Sequence, residues 1–502
     1  MISKTIFVTA ALAFLGLCNT GIIAQQRKSA ITPVTDTPQK IHTSITPSLS
    51  ADLSESSTDV EALKRRVENL EKQNRELVQA LTDLKIKIEP SRVHFATSDG
   101  QATVNTGPVG PRPATEISSS SPGKSSDDTV RWSELLGEGN KIKFYGFLRL
   151  DMIFDSQRPN NSQTILFITS PDPRTGNTSN GDIAIHPRLT RFGIDYTGPR
   201  VSRLGDAKLS GKVEVDFQNG GSESRQLIRL RHGYAKLDWK QVSLLVGQTW
   251  DAVSPLFPTV NNDTLQWNAG NVGDRRPQLR LTYEPKLSEK AQLSFTGGVG
   301  LTGAIDALDL DVNGVRDGEE SARPNMQGRI GFSYPLVGSG QRLSVGMSGF
   351  YGFLKTARAV VGRTSFHSQL TNIDFTLPLH TRVVFRGEGW WGRNLSDVRG
   401  GAGQGINLAT GREIRGRGGW AETNLKLTSY FTVSPGFSVD DPVDVDVPAN
   451  GRTRNGAFFV SNRFAPNNTF LIGADYLRWK TNFKGLQSGI DNRVNIFLQY
   501  NF

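Results

Sequence analysis

The feature that most constrains this chain is a two-residue alternation of apolar and polar side chains, which begins near residue 141 and continues to the last residue. The final stretch, RVNIFLQYNF, places Val494, Ile496 and Leu498 on one face and Asn495 on the other. A period of two is that of a β-strand with one apolar face, and clusters of Gly, Asn, Asp and Pro separate the alternating segments. The region 140–502 is therefore predicted to be all-β.

Two architectures accommodate such strands. A soluble β-sandwich buries its apolar faces in a core, whereas a transmembrane β-barrel turns them toward lipid and lines a wet interior with polar side chains. Connection lengths favour the barrel, because tight turns such as Leu237–Val242 alternate with long segments such as Ser156–Ile183 and Gly392–Arg415. Tryptophans at predicted strand ends are expected to form the interfacial girdles of such a barrel: Trp239, Trp250, Trp390, Trp391 and Trp479.

The pattern predicts a sixteen-stranded antiparallel transmembrane barrel of the porin type. At that size the lumen is too wide for wall side chains to fill, so a channel is predicted. Individual strand signals are weak, and alternatives of fourteen or eighteen strands stay open. The candidate strands are 141–155, 184–197, 207–218, 226–239, 241–250, 276–284, 289–302, 324–334, 341–353, 362–377, 380–394, 416–428, 429–439, 453–464, 467–483 and 489–502.

The net positive charge of the chain lies in the predicted barrel. The whole chain carries a net charge of +10, and residues 140–502 hold 43 Lys and Arg against 32 Asp and Glu. Basic rings in a pore attract anions and oppose cations. The alternative is that acids such as Glu214, Asp216 and Glu388 neutralise the arginines in wall ion pairs. The arginines predicted to line the pore from the polar strand faces are Arg149, Arg191, Arg229, Arg231, Arg280, Arg329 and Arg386.

The long segment Trp250–Arg276 follows the fifth predicted strand, and Arg275 and Arg276 lie at its exit. In a sixteen-stranded porin the loop at this place folds inward and narrows the pore, so we expect the same here. The alternative is an ordinary extracellular loop.

The N-terminal residues 1–24 have the pattern of a secretory signal, with Lys4 ahead of an apolar run and a cleavage position before Gln25. An uncleaved anchor helix and lipidation of Cys18 are the alternatives. Export makes nucleic acid an unsuitable partner. Residues 25–54 are rich in Ser, Thr, Pro and Gln, which predicts a flexible linker.

Residues 55–89 follow a heptad register without a slip, which predicts a periplasmic coiled coil. The alternative is a helix that packs on its own barrel. Pro90 ends the pattern, and 90–139 is predicted to be a second linker. The polar Asn74 would favour one register at some cost in stability. The predicted core is Val60, Leu63, Val67, Leu70, Asn74, Leu77, Leu81, Leu84 and Ile88.

No motif indicates an enzyme. The six His residues are scattered without ligand spacing, and the single Cys excludes a Cys-rich metal site. The Gly-rich stretch 298–303 has dinucleotide-loop spacing but no helix or downstream acid that would confirm it. We therefore expect no catalytic residues, no metal and no cofactor.

Several stretches, in this order, resemble the DcaP-like outer-membrane porins. They are IRLRHGYAKLDW (228–239), LLVGQTWDAVSP (244–255), NAGNVGDRRPQLRLTYEP (268–285), GEGWWGRNL (387–395), GGAGQG (400–405), GGWAETNLKL (418–427) and GFSVDDP (436–442). The resemblance implies a homotrimer of barrels, a periplasmic coiled-coil extension and passage of small anionic solutes, dicarboxylates among them. It also implies that Arg275, Arg276 and Arg280 lie near the constriction. Insertions at Ser156–Ile183 and Asp306–Arg323 depart from the family pattern at the outer vestibule.

The expected function is therefore that of an outer-membrane porin, which lets small, preferentially anionic solutes diffuse. The alternative is a structural tether, in which the barrel is an anchor in outer-membrane lipid and the coiled coil reaches the cell wall.

Overall fold

The computed structural model describes Lys72 and residues 139–502, apart from 162–163, 178–179, 219–224, 261–263 and 338–340. The chain divides into two units, Met1–Pro122 and Gly123–Phe502. The predicted signal segment 1–24, the linker 25–54, the linker 90–139 up to residue 138, and all nine predicted coiled-coil core positions lie outside the described residues. Within the described part, no helix is both long enough and apolar enough to cross a membrane.

Sixteen strands form one closed antiparallel barrel, which confirms the predicted count and nearly all of the predicted positions. One strand, β2, is interrupted between His186 and Arg191, where Pro187 has no amide hydrogen for the ladder. The strands are β1 (Lys141–Asp155), β2 (Asp182–His186 and Arg191–Val201), β3 (Ala207–Asp216), β4 (Arg229–Asp238), β5 (Val242–Trp250), β6 (Arg275–Tyr283), β7 (Gln292–Gly300), β8 (Asn325–Val337), β9 (Gln341–Val360), β10 (Arg363–His380), β11 (Val383–Arg393), β12 (Arg415–Lys426), β13 (Phe431–Pro442), β14 (Arg452–Phe464), β15 (Phe470–Phe483) and β16 (Gly489–Asn501).

The first and last strands close the barrel. β1 pairs with β16 from Phe147 opposite Asn501 to Asp155 opposite Arg493, and its other edge pairs with β2. Neighbouring strands therefore pair all the way around the wall, and closure leaves no unpaired sheet edge.

The apolar face of the strands lies on the outside of the barrel. Phe144, Ile183, Ile330 and Phe458 are 57%, 60%, 58% and 71% exposed. On β1 the opposite face carries buried polar side chains, among them Arg149, Asp151 and Asp155. This arrangement is the reverse of a sandwich, where the large apolar side chains would fill a core.

The two ends of the barrel differ. One end, here called the turn end, carries short connections such as 202–206 and 381–382 together with the start of β1 and the end of β16. The other, the loop end, carries the long segments 156–181, 251–274, 301–324 and 394–414. β9 and β10 are 20 and 18 residues long and are joined at this end by the two-residue turn Val361-Gly362. Both residues have positive φ (48° and 77°), as a type I′ hairpin requires.

Short helical turns occur only within the connections of the described chain. They are the 3₁₀ turns Pro173–Thr175, Ser202–Leu204, Ser396–Val398 and Gly401–Gly403 and the one-turn α-helix Asp317–Glu320. A small hairpin, Ile406–Asn407 with Arg412–Glu413, lies in the segment 394–414.

The expected tryptophan girdle is wrong for three of the five residues. Trp390 and Trp479 are 2% and 0% exposed and face the interior, where their ring nitrogens donate to Gly270 O and Asn455 Oδ1. Trp250 stacks on Phe257 of the loop that follows it, at 4.3 Å between ring centroids. These rings pack against loops inside the barrel, so they are unavailable to an interface.

Candidate pore lining

The segment 251–274, here called the inner loop, folds into the barrel. Ser254 Oγ donates to the Glu388 carboxylate on β11 at 2.5 Å, and the Thr259 amide donates to Glu422 on β12 at 2.8 Å. Trp390 Nε1 donates to Gly270 O at 2.7 Å. The inner loop therefore crosses the lumen and is held on the wall formed by β8 to β14, and the alternative of an ordinary extracellular loop is wrong.

Apolar packing reinforces these hydrogen bonds. One buried cluster joins Val260 and Ala269 of the inner loop to Phe459 and Trp479 of the wall and to Ile168 of the segment 156–181. A second cluster joins Val253 and Val272 of the inner loop to side chains of β9, β10 and β11 and of the segment 394–414: Phe350, Leu370, Trp390, Leu395 and Val398. The inner loop thus has its own core inside the barrel, which narrows the open cross-section.

Arg276 joins three loops at the exit of the inner loop. Its guanidinium donates to Asp251 at 2.6 and 3.0 Å and to Asp397 at 2.8 Å, and its side chain is fully buried. Asp397 also accepts the amides of Gly303 and Ile305 at 2.9 and 3.0 Å. Because every face of this guanidinium is occupied, Arg276 holds the loop end together and offers no surface to a solute.

Arg275 and Arg280 lie near the same exit. Arg275 is 8% exposed, lies 4.4 Å from the Trp250 ring centroid and reaches Asp274 at 3.4 Å. Arg280 donates to Gln278 Oε1 at 3.0 Å and to the carbonyl oxygen of Trp250. Both arginines therefore support the base of the inner loop.

Three arginines of the opposite wall share two carboxylates, and we call Arg191, Arg229 and Arg231 the arginine ladder. Arg229 is bidentate on Asp216 at 2.8 and 2.7 Å, and Arg231 bridges Glu214 and Asp216 at 2.7 Å each. Arg191 Nε lies 3.6 Å from Glu214, and its side chain is 25% exposed. Three positive charges face two negative ones, so the ladder keeps a positive excess. Arg275 is close enough to Arg229 and Arg231 to interact with both electrostatically.

The other predicted arginines are each matched by one acid. Arg149 is bidentate on Asp151 at 2.8 and 2.5 Å and lies over the Phe497 ring. Arg329 is bidentate on Asp374 at 2.9 and 2.6 Å. Arg386 binds Glu422 at 2.7 Å and also donates to the inner loop at Phe257 O. These three sites are locally neutral, as the ion-pair alternative expected, whereas the ladder is not.

Two cavities lie at the ends of the barrel. The cavity at the turn end has a volume of about 560 Å³ and is lined by Lys141, Lys143, Asp195, Ser210 and Tyr234, among others. The cavity at the loop end has a volume of about 440 Å³ and is lined by Asn268, Asp306, Ser396, Arg399 and Gln404, among others.

Arg463 is an interior arginine that the sequence reasoning missed. It pairs with Asp475 at 2.5 Å and donates to Thr259 O of the inner loop at 2.6 Å. The alternation of β14 carried the signal, because Phe458, Val460 and Phe464 are exposed outside and Arg463 has the opposite parity. His232, whose Nδ1 lies 3.0 Å from Thr249 Oγ1, also lies beside the ladder.

Comparison with known proteins supports the fold. No protein-family model and no curated protein sequence matches the chain. The DcaP outer membrane channel of Acinetobacter baumannii is similar over 72% of this chain and 98% of that one, with a TM-score of 0.57 and 17% identity. An anion-selective porin from Comamonas acidovorans (72% and 100% covered, TM-score 0.45, 11% identity) and OmpF of Salmonella typhi (72% and 98%, 0.46, 12%) are more distant. The resemblance seen in the sequence is confirmed at the level of the fold, and this chain has the fold of the DcaP outer membrane channel.

Proposed function

We propose that the protein is an outer-membrane porin, a passive diffusion channel for small and preferentially anionic organic solutes such as dicarboxylates. The observation that carries the proposal is the arginine ladder, which lies inside a closed sixteen-stranded barrel and faces a lumen narrowed by the inner loop.

The outer surface supports a membrane location. Large apolar side chains with exposures of 40% or more recur around the barrel, for example Leu281, Met347 and Tyr476. Monomeric soluble proteins rarely expose contiguous apolar surface of this kind, whereas a transmembrane barrel presents it to lipid. We infer a location in the outer membrane with the turn end toward the periplasm, where the coiled coil predicted in 55–89 would lie after removal of the signal segment 1–24.

The charge of the ladder supports anion preference. Arg191 and Arg229 keep 25% and 23% of their side-chain surface exposed while their shared carboxylates, Glu214 and Asp216, are buried. A solute passing this wall therefore meets guanidinium edges more than carboxylate oxygens. Guanidinium forks bind carboxylates in bidentate fashion, which suits a dicarboxylate.

The assembly is proposed to be a homotrimer in outer-membrane lipid, as the sequence resemblance implies. No catalytic residue, metal or cofactor takes part in the proposed transport.

Solute uptake into proteoliposomes tests the proposal. Three four-carbon solutes of similar size differ mainly in charge: succinate, erythritol and putrescine. We expect the swelling rate to fall in that order, because the ladder attracts the dianion and repels the dication. Fastest entry of putrescine would contradict the proposed selectivity.

The tether remains the second candidate, because buried clusters of loop side chains occupy much of the interior. A protein that is only an anchor would give no swelling above that of protein-free vesicles with any of the three solutes.

A further inference from the structure

The connection between β7 and β8 contains a second pattern that transport does not use. Residues 309–320 read DLDVNGVRDGEE, with Asp at positions 1, 3 and 9, Asn at 5, Gly at 6 and Glu at 12. This is the spacing of the twelve-residue calcium loop of EF-hands, in which the side chains at positions 1, 3, 5, 9 and 12 and the backbone carbonyl at position 7 supply oxygen ligands, while the glycine at 6 allows a sharp turn. The match covers every side-chain ligand position of that loop.

The fold brings the acids of this segment together. Carboxylate oxygens of Asp309, Asp311 and Asp317 lie within 4.8 Å of one another, and Asp317 is fully buried. Asp311 Oδ1 is shielded from solvent and has no hydrogen-bond partner in the structure. A shielded carboxylate oxygen without a donor is costly unless a cation satisfies it, so this atom itself indicates a ligand.

The backbone holds the segment in a closed turn. Asp309 accepts the amides of Asn313 and Gly314 at 3.0 and 2.8 Å, and Asp311 Oδ2 accepts the amide of Arg358 on β9 at 2.7 Å. Gly314 has φ of 87°, a conformation that favours glycine, at the position where calcium loops require a sharp turn. The acids are thus placed by contacts that leave their remaining oxygens facing one another.

The segment 309–320 carries five acidic residues and a single arginine. Arg316, the cation nearest in sequence, pairs with Glu319, which is outside the ligand pattern. The carboxylates of Asp309, Asp311 and Asp317 repel one another, because their oxygen atoms lie within 4.8 Å. A divalent cation would relieve this repulsion.

We propose that residues 309–320 bind one Ca²⁺ ion, through the carboxylates of Asp309, Asp311, Asp317 and Glu320 with the Asn313 side chain and the Val315 carbonyl as further ligands. Oxygen ligands of this number and flexibility favour Ca²⁺ over Mg²⁺, which demands a smaller octahedral site. The affinity expected is that of extracellular calcium modules, about 10⁻⁴ to 10⁻³ M.

The ion would stabilise the loop end of the barrel. The same connection begins with Gly303 and Ile305, whose amides donate to Asp397, and Asp397 is a partner of Arg276. Bound calcium would therefore hold the second half of this connection in place. The first half is already held by Asp397, the partner of Arg276. This inference is independent of the proposed transport.

Calcium titration of the full chain tests the site. The protein is refolded in detergent without lipopolysaccharide, because that lipid itself binds divalent cations, and is stripped with EDTA before calorimetric titration with CaCl₂. Glu320→Gln removes a ligand, whereas Glu319→Gln makes the same change one residue away and serves as the matched control. Asp311→Asn removes the carboxylate that lacks a hydrogen-bond donor.

We expect one Ca²⁺ per chain for the natural sequence and for Glu319→Gln, and at least tenfold weaker binding for Glu320→Gln and Asp311→Asn. Calcium should also slow tryptic cleavage after Arg316 in the natural protein and not in Glu320→Gln. All variants must show the heat-modifiable gel mobility of a folded barrel. Absence of calcium binding in the natural protein, or equal affinity in Glu320→Gln, would overturn the proposal.

Discussion

At the scale of single residues, the partner decides what an arginine does. Arg276 and Arg191 both belong to polar strand faces, yet Arg276 is fully buried between two aspartates and Arg191 is partly exposed beside a shared glutamate. The alternation predicts that both point inward. It cannot predict the difference, because Asp397 is more than a hundred residues from Arg276 in the sequence and meets it only when the loops fold.

Arg191→Gln should reduce anion preference without disturbing the wall. Glu214 stays partnered, since Arg231 and the Tyr145 hydroxyl also contact it at 2.7 and 2.8 Å. Arg200→Gln is the matched control, because Arg200 lies on the same strand, is exposed and donates to the Asp206 carbonyl oxygen rather than to an acid. Succinate permeability should fall severalfold in the first variant and stay constant in the second. An equal loss of succinate permeability in both variants would argue against a role of the arginine ladder in anion preference.

Arg276→Ala should destabilise the protein by about 3–5 kcal/mol, because it leaves Asp251 and Asp397 buried without their cation. Arg415→Ala provides the contrast, since the Arg415 side chain is 60% exposed and its pair with Asp446 is open to solvent. The measurement is the urea concentration at which the folded, heat-modifiable band is lost. Comparable urea midpoints for Arg276→Ala and Arg415→Ala would show that the ion pairs of Arg276 do not stabilise the barrel more than a surface ion pair does.

At the scale of elements, strands could be predicted and the interior could not. A period of two places each wall residue inside or outside, and sixteen segments appear where that pattern occurs. The same pattern says nothing about what fills the lumen. Trp390 and Trp479 were therefore assigned to the interface, although the first donates to the inner loop and the second packs beneath it. The acids of 309–320 lie in a connection outside the alternating strands, and a site built from oxygen ligands contains no His or Cys to mark it.

Shortening the inner loop should widen the pore. Replacement of residues 256–266 by two glycines removes Phe257 and Val260, which contact the wall, and keeps Asp251 for Arg276. Single-channel conductance should rise severalfold and selectivity should weaken, because solutes then pass further from the ladder. Deletion of Leu408 and Ala409, at the tip of the small hairpin in 394–414, is the control and should leave conductance unchanged. Equal conductance in both would mean that the inner loop does not limit the flow.

At the scale of the whole molecule, closure of the barrel determines which surfaces the chain presents to its surroundings. A barrel that joins β1 to β16 has no free edge, its outer face is largely apolar, and its inner face carries most of the buried charged side chains. The sequence analysis could predict this division from the alternation together with the lengths of the connections. The coiled coil predicted in 55–89 lies outside the described residues, and its oligomeric role stays a prediction.

Deletion of residues 60–88 should leave a folded, trimeric barrel, because the barrel belongs to a separate unit of the chain and its outer wall is large enough to carry subunit contacts. Light scattering of the detergent-solubilised variant measures the mass. A variant that is folded but monomeric would assign assembly to the coiled coil.

We propose that ions cross this barrel along a wall with excess positive charge. The most direct test of this proposal is the reversal potential of the purified protein in a planar bilayer with a tenfold KCl gradient. We expect discrete conductance steps and a potential whose sign shows that chloride is more permeant than potassium. A potential of the opposite sign, or a bilayer without any steps, would contradict the account.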